Sequence, residues 1–140
     1  MNQKTSEIAA DGASSIALAR ADFNFFSGLV DPVAFRFMFP SFYLTLFGML
    51  TAFAEPIEQF AIGIPRGFAK TTFVKLLCVW YILFSEKQFI LIVGASEKLA
   101  MNTLADICDM LGSRNLRKLF GNWDAQLEED TKEQKVFYFR

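Results

Sequence analysis

The pattern of apolar and polar positions predicts a strand that ends in a turn and is followed by a long helix. Phe60, Ile62 and Ile64 alternate with small or polar residues, which is typical of a half-buried strand. Pro65 then marks the end of the strand, because proline cannot donate a hydrogen bond to a strand ladder. Residues 73–84 are apolar but for one lysine, so we expect a helix buried against a sheet.

A second strand and a second helix are predicted further along. Residues 88–93 are apolar without interruption from Phe89 onward, which is typical of a central parallel strand covered on both faces. Ser96 is the expected N-cap of the following helix, Glu97 favours its dipole, and Gly112 stands just past its end. A right-handed crossover between the two strands would place their carboxyl ends at the same edge of the sheet. We therefore expect that edge to be the active one.

The N-terminal part of the chain is expected to be a flexible arm over residues 1–13, followed by a helix. The arm is polar and lacks the apolar stretch of a secretory signal. Ser14 or Ser15 is the expected cap of the helix, which would run to about Phe26.

The C-terminal part is expected to contain a short helix over residues 114–120 and a strand-like stretch over residues 136–139. The basic side chains of this helix are more typical of a solvated face than of a DNA-contacting patch. Residues 127–130, Leu-Glu-Glu-Asp, do not follow an apolar strand, which the second nucleotide motif requires. We therefore predict an exposed acidic loop there.

Residues 37–54 carry no charge for eighteen positions, which meets the bare length criterion for a membrane span. Pro40 and Ser41 interrupt the run, so the helix expected from Phe42 is about 20 Å long at 1.5 Å per residue. That length is well short of a hydrocarbon core of roughly 30 Å. The pattern favours a core helix over a membrane helix.

Composition restricts the chemistry. The chain has 140 residues, 53% of them hydrophobic, which is enough for one domain with a core. It has 14 basic and 15 acidic side chains and no histidine, so histidine-dependent catalysis is excluded and no basic excess indicates nucleic-acid binding. Cys78 and Cys108 do not have metal-ligand spacing and are expected to be reduced core residues.

The turn after the first predicted strand has the character of a phosphate-binding loop. In the motif Gly-x-x-x-x-Gly-Lys-[Ser/Thr], backbone N–H groups surround phosphate oxygens, the lysine reaches the β- and γ-phosphates and the hydroxyl holds magnesium. Lys70 and Thr71 match the last two positions, whereas Ala69 and Ile64 occupy the glycine positions. The alternative is an ordinary turn. A lysine in the first turn of a helix opposes the helix dipole, however, which favours an anion there.

Residues 65–71, Pro-Arg-Gly-Phe-Ala-Lys-Thr, resemble the deviant phosphate loop of the large terminase subunit of tailed bacteriophages, the ATP-driven motor that pumps DNA into a capsid. That family has an arginine four residues before the lysine, as Arg66 stands before Lys70. Residues 21–26 resemble the family's aromatic N-terminal helix, and residues 89–98 its second core strand and turn. The family usually has glycine where this chain has Ala69, so a Cβ faces the tight turn.

The resemblance implies a three-layer α/β P-loop NTPase core with a parallel sheet. It implies ATP and Mg²⁺ as cofactors, with Lys70 on the phosphates, Thr71 on the magnesium ion and Arg66 sensing or stabilising the γ-phosphate. The residues expected around the ATP phosphates are Pro65, Arg66, Gly67, Phe68, Ala69, Lys70, Thr71 and Thr72. By the same resemblance, aromatic residues of 37–54 lie near the adenine.

The resemblance further implies double-stranded DNA, a portal protein and the small terminase subunit as partners. It also implies a homo-oligomeric ring, no membrane association and a place in the cytoplasm of the infected bacterial host. Residues 14–140 would be the N-terminal portion of the ATPase domain, without its Walker B strand and nuclease domain. We expect such a chain alone not to hydrolyse ATP. The alternatives are a fragment of a helicase-type P-loop ATPase, a non-catalytic scaffold protein and a small membrane protein.

Overall fold

The computed structural model describes residues 12–52, 61–86 and 89–137, and these residues are predominantly helical. The α-helices, in chain order, are α1 Gly12–Ala21, α2 Phe23–Val30, α3 Ser41–Ala52, α4 Lys70–Phe84, α5 Glu97–Leu111 and α6 Arg114–Phe120. A 3₁₀ helix, Trp123–Gln126, leads into strand β1, Leu127–Asp130, and strand β2 is Lys135–Phe137. The two strands pair antiparallel, with Leu127 opposite Phe137.

The expected α/β core with a parallel sheet is wrong. Among the described residues the only sheet is the β1–β2 pair, and neither residues 61–64 nor residues 89–93 are strands. Neither segment makes a backbone hydrogen bond to another described residue's backbone. The alternation predicted for the first segment is still visible in its exposure, because Ile62 and Ile64 pack partly against the core while their neighbours are exposed. Residues 89–93 are not covered on both faces as predicted, because Phe89, Leu91 and Val93 are exposed. Alternation fixes which side chains face the core, but a strand also needs hydrogen-bonded neighbours.

The N-terminal helix is divided in two, which the sequence analysis did not predict. Asp22 stands between α1 and α2 in an extended conformation, and its Oδ1 accepts a hydrogen bond from the Phe25 N–H at 3.0 Å. Ser15, one of the two expected caps, lies buried within α1. Residues 1–11 of the expected arm lie outside the described residues, and α1 already begins at Gly12.

The later helices agree with their predicted boundaries. Helix α4 begins at Lys70, as the motif requires. Ser96 caps α5 by accepting a hydrogen bond from the Leu99 N–H, and Gly112 follows its last residue. Lys75 of α4 forms an ion pair with Asp106 of α5, which joins the two helices. The acidic loop predicted at residues 127–130 is wrong, since these residues form β1.

Helix α3 confirms the core helix predicted over residues 42–54 as far as residue 52, since Tyr43, Phe47 and Leu50 are buried. Residues 53 and 54 lie outside the described part of the chain. No helix in the described ranges combines the length and the apolar character that crossing a membrane requires.

Phe23 lies at the centre of an aromatic core. It is 1% exposed, and its ring centroid lies 4.9 Å from that of Phe47, 5.1 Å from that of Phe39 and 5.1 Å from that of Phe73. These neighbours come from α3, α4 and the segment before α3. One side chain of α2 therefore holds the elements that flank the predicted phosphate loop.

Candidate phosphate-binding site

The predicted loop bends sharply just before α4. Gly67 has a φ of 86°, and Ala69 lies in the left-handed region with a φ of 55° and a ψ of 26°. The helix starts at the next residue, Lys70. A left-handed residue followed by a right-handed helical one turns successive N–H groups toward a common concavity, which is the geometry of an anion-binding nest.

Ala69 is the only residue other than glycine with a positive φ among those described. Its Cβ makes that conformation less favourable than a right-handed one by roughly 1–2 kcal/mol. The backbone nevertheless has a left-handed conformation, which glycine adopts without this penalty. Strain of this kind persists where the surrounding structure imposes it, which is common at functional sites.

Tyr43 of α3 holds the loop against the core, a contact that the sequence analysis missed. Its hydroxyl donates a hydrogen bond to the carbonyl oxygen of Phe68, and its ring centroid lies 4.7 Å from that of Phe73 in α4. Burial raises the pKa of the Tyr43 phenol, so the hydroxyl remains a donor at neutral pH. A tyrosine within an uncharged helix is a signal for such a contact, because a buried phenol needs a hydrogen-bond partner.

The basic side chains of the loop differ in what they contact. Lys70 Nζ donates a hydrogen bond to the carbonyl oxygen of Ile64 at 3.1 Å. This hydrogen bond joins the two ends of the loop. Arg66 is exposed and makes no hydrogen bond or ion pair with another described residue. Both cations can therefore reach an anion without breaking an ion pair.

The remaining predicted residues are accessible as well. Pro65, Phe68 and Thr71 are exposed, and Thr72 is partly buried. The first turn of α4 leaves the N–H groups of Lys70, Thr71 and Thr72 without an acceptor inside the helix; the Phe73 N–H is the first to find one, the Ala69 carbonyl oxygen at 2.9 Å. These N–H groups are available to phosphate oxygens.

A cleft of about 840 Å³ opens beside the loop. Residues 67–69 and Thr72 form part of its wall. The apolar part of its lining includes Phe35, Phe37, Met38, Phe39 and Tyr43. Three polar residues, Asp31, Asp109 and Ser113, also border it. A cleft of this size with apolar walls and few polar groups is typical of sites for small molecules.

Magnesium, which the resemblance implies, fits the site only through Thr71. Its hydroxyl stands in the first turn of α4 and is exposed. In the described ranges, no three His, Cys, Asp or Glu residues are grouped to hold a metal ion. An ion there would be held by Thr71 together with phosphate oxygens and water, as is common for Mg²⁺.

No protein-family model, no curated protein and no solved structure matches this chain. The likeness to large terminase subunits therefore rests on the residues of the loop and its flanks.

Proposed function

We propose that this chain binds the triphosphate of ATP at residues 65–72, as the ATP-binding part of a viral DNA-packaging motor of the terminase type. The observation that carries the proposal is the left-handed conformation of Ala69 immediately before a helix that starts at Lys70. That arrangement directs the N–H groups of Ala69, Lys70 and Thr71 at one point. The proposal rests on the loop and helix and does not need a parallel sheet.

In this proposal, different residues of the loop contact different phosphates of ATP. The N–H groups of residues 67–70 surround the β-phosphate, and Lys70 leaves the Ile64 carbonyl to contact the β- and γ-phosphates. Arg66, four residues earlier, contacts the γ-phosphate and stabilises the charge that develops on it. The dipole of the fifteen-residue α4 adds to the attraction.

The proposed motor role rests on the sequence spacing of Arg66, which stands four residues before Lys70. A positioned arginine stabilises the charge that spreads over the transferred phosphoryl group, and such arginines raise turnover by orders of magnitude. Double-stranded DNA, a portal protein and the small terminase subunit are the partners that this role would bring. Magnesium, when bound, would neutralise phosphate charge beside Thr71.

Calorimetric titration of ATP into the purified chain tests the proposal. We expect Lys70→Ala to weaken ATP binding by about tenfold or more, because a charge-assisted hydrogen bond is lost. Lys98→Ala is the matched control, since Lys98 is an exposed lysine in the first turn of another fifteen-residue helix, α5. Equal affinities for the two variants would contradict phosphate binding at the loop.

A further inference from the structure

The hydroxyl group of Ser113 is buried and forms no hydrogen bond with the described part of the protein. Its Oγ is shielded from solvent and has no hydrogen-bond partner among the described residues, and Ser113 borders the cleft beside the phosphate loop. Ser113 precedes α6, yet its side chain makes no capping hydrogen bond. Leaving a buried hydroxyl unpaired is unfavourable, so a hydrogen-bond partner from outside the fold would stabilise it.

Asp109, four residues before Ser113, borders the same cleft. It is exposed and makes no hydrogen bond or ion pair with another described residue. Asp31, the other carboxylate of the cleft, is already engaged, since its Oδ1 accepts from the N–H groups of Val33 and Ala34 at 2.9 Å. Apart from Thr72 of the phosphate loop, Asp109 and Ser113 are therefore the polar residues of the cleft whose side chains make no hydrogen bond or ion pair with a described residue.

These two residues border a cleft that aromatic side chains also line, and they come from elements other than the phosphate loop. Phe35 and Phe39 stack with their centroids 5.8 Å apart, and both line the cleft. Asp109 belongs to the end of α5 and Ser113 to the junction with α6, whereas the loop belongs to the start of α4. A carboxylate would repel phosphate, so the chemistry assigns the anion to the loop and a hydrogen-bond donor to Asp109.

We propose that Asp109 and Ser113 recognise the amino-bearing edge of the adenine base of a nucleotide whose phosphates lie at residues 65–72; this inference rests on the proposed function. The Asp109 carboxylate accepts a hydrogen bond from the exocyclic amine. The Ser113 hydroxyl donates to a ring nitrogen beside that amine. The aromatic side chains of the cleft cover the faces of the base.

The inference predicts discrimination between ATP and ITP. The hypoxanthine base of ITP has a carbonyl oxygen in place of the adenine amine, so the Asp109 carboxylate would face an acceptor. A site built around a donor rejects an analogue that lacks it. We expect the wild-type chain to bind ATP at least about tenfold more tightly than ITP, a modest ratio because Asp109 is exposed to water.

The test measures dissociation constants for ATP, ITP and inorganic tripolyphosphate by calorimetry. Asp109→Asn should reduce the preference for ATP to roughly threefold or less, since an amide both donates and accepts. Ser113→Ala should weaken ATP binding, and neither variant should change tripolyphosphate binding. Glu133→Gln is the control, because Glu133 is exposed in the β1–β2 turn and does not line the cleft.

The outcomes separate the two proposals. Binding of all three probes that depends on Lys70, with equal affinities of the wild type for ATP and ITP, would overturn the base assignment and leave phosphate binding intact. An ATP preference that survives in both Asp109→Asn and Ser113→Ala would overturn it as well. Absence of Lys70-dependent binding of any probe would overturn both proposals. The ratio of the two affinities in the wild type needs no variant, so it tests the base assignment even if a variant fails to fold.

Discussion

The hydroxyl of Tyr43 and the carbonyl oxygen of Phe68 are joined by a hydrogen bond across twenty-five positions of the chain. Phe68 lies between Gly67 and Ala69, the two residues of the loop with positive φ. This single contact connects helix α3 to the strained turn that precedes α4. The position of the loop therefore depends on the helical core.

Tyr43→Phe should loosen the loop while preserving the core. The ring still packs on Phe73, so we expect a loss of about 1 kcal/mol in the free energy of unfolding and a several-fold weaker affinity for ATP. Tyr81→Phe is the matched control, because the Tyr81 hydroxyl donates to the Leu50 carbonyl oxygen at 2.5 Å away from the loop. It should lower stability similarly and leave ATP affinity unchanged. Urea denaturation and calorimetry measure both quantities, and equal ATP affinities in the two variants would refute the role of Tyr43.

Ala69→Gly should be neutral or stabilise the chain by up to about 1 kcal/mol, because glycine adopts a left-handed conformation without a steric penalty. The comparison is Ala105→Gly, at an exposed position within α5. There glycine should destabilise the helix by about 1 kcal/mol. Urea denaturation of the two variants provides the measurement. If both variants lose the same stability, Ala69 does not have the left-handed conformation.

Phe23→Ala and Phe89→Ala should differ strongly in stability. Phe23 is 1% exposed and contacts several rings, so its truncation should cost about 3–5 kcal/mol. Phe89 is 79% exposed, so its truncation should change the free energy of unfolding by no more than about 0.5 kcal/mol. Chemical denaturation at one temperature gives both values. A loss of several kcal/mol at Phe89 would indicate that residues 89–93 lie covered within a sheet.

Stability should decrease as the pH rises above about 8.5, the usual pKa of a thiol. Burial raises the pKa values of Cys78 and Cys108 in the folded chain. Their protonated forms are favoured by folding, so this contribution is complete below the unfolded pKa and is lost as the pH rises toward the folded pKa. Urea midpoints at about pH 8 and about pH 9.5, on either side of the usual thiol pKa and under reducing conditions, measure the decrease. The double variant Cys78→Ala, Cys108→Ala should show a smaller decrease, and an unchanged slope would exclude the thiols as its source.

The sequence predicted the helices better than the sheet for a local physical reason. The start of α4 at Lys70 and the capping of α5 by Ser96 depend on residues within one turn of the chain. Residues 89–93 have the composition of a strand, but the hydrogen-bonded neighbours that make a strand are non-local. The same limitation applies to residues 127–130, which became β1 because β2 pairs with them.

The candidate site shows the same division between local and non-local information. The start of α4 at Lys70 and the tight turn at Ala69 were predictable from the motif. The contact of Tyr43 with Phe68 and the placement of Ser113 at the cleft bring together distant parts of the chain. No periodicity or spacing encodes such contacts, so only the folded arrangement reveals them.

Titrating inorganic tripolyphosphate into isotope-labelled protein tests the central claim most directly. Proton–nitrogen correlation spectra report on each backbone N–H, including those that the nest would direct at a phosphate. Binding at the loop predicts that the largest shifts occur at residues 67–72 and disappear in Lys70→Ala. Largest shifts at exposed lysines elsewhere, such as Lys98 and Lys118, with residues 67–72 unaffected, would contradict it.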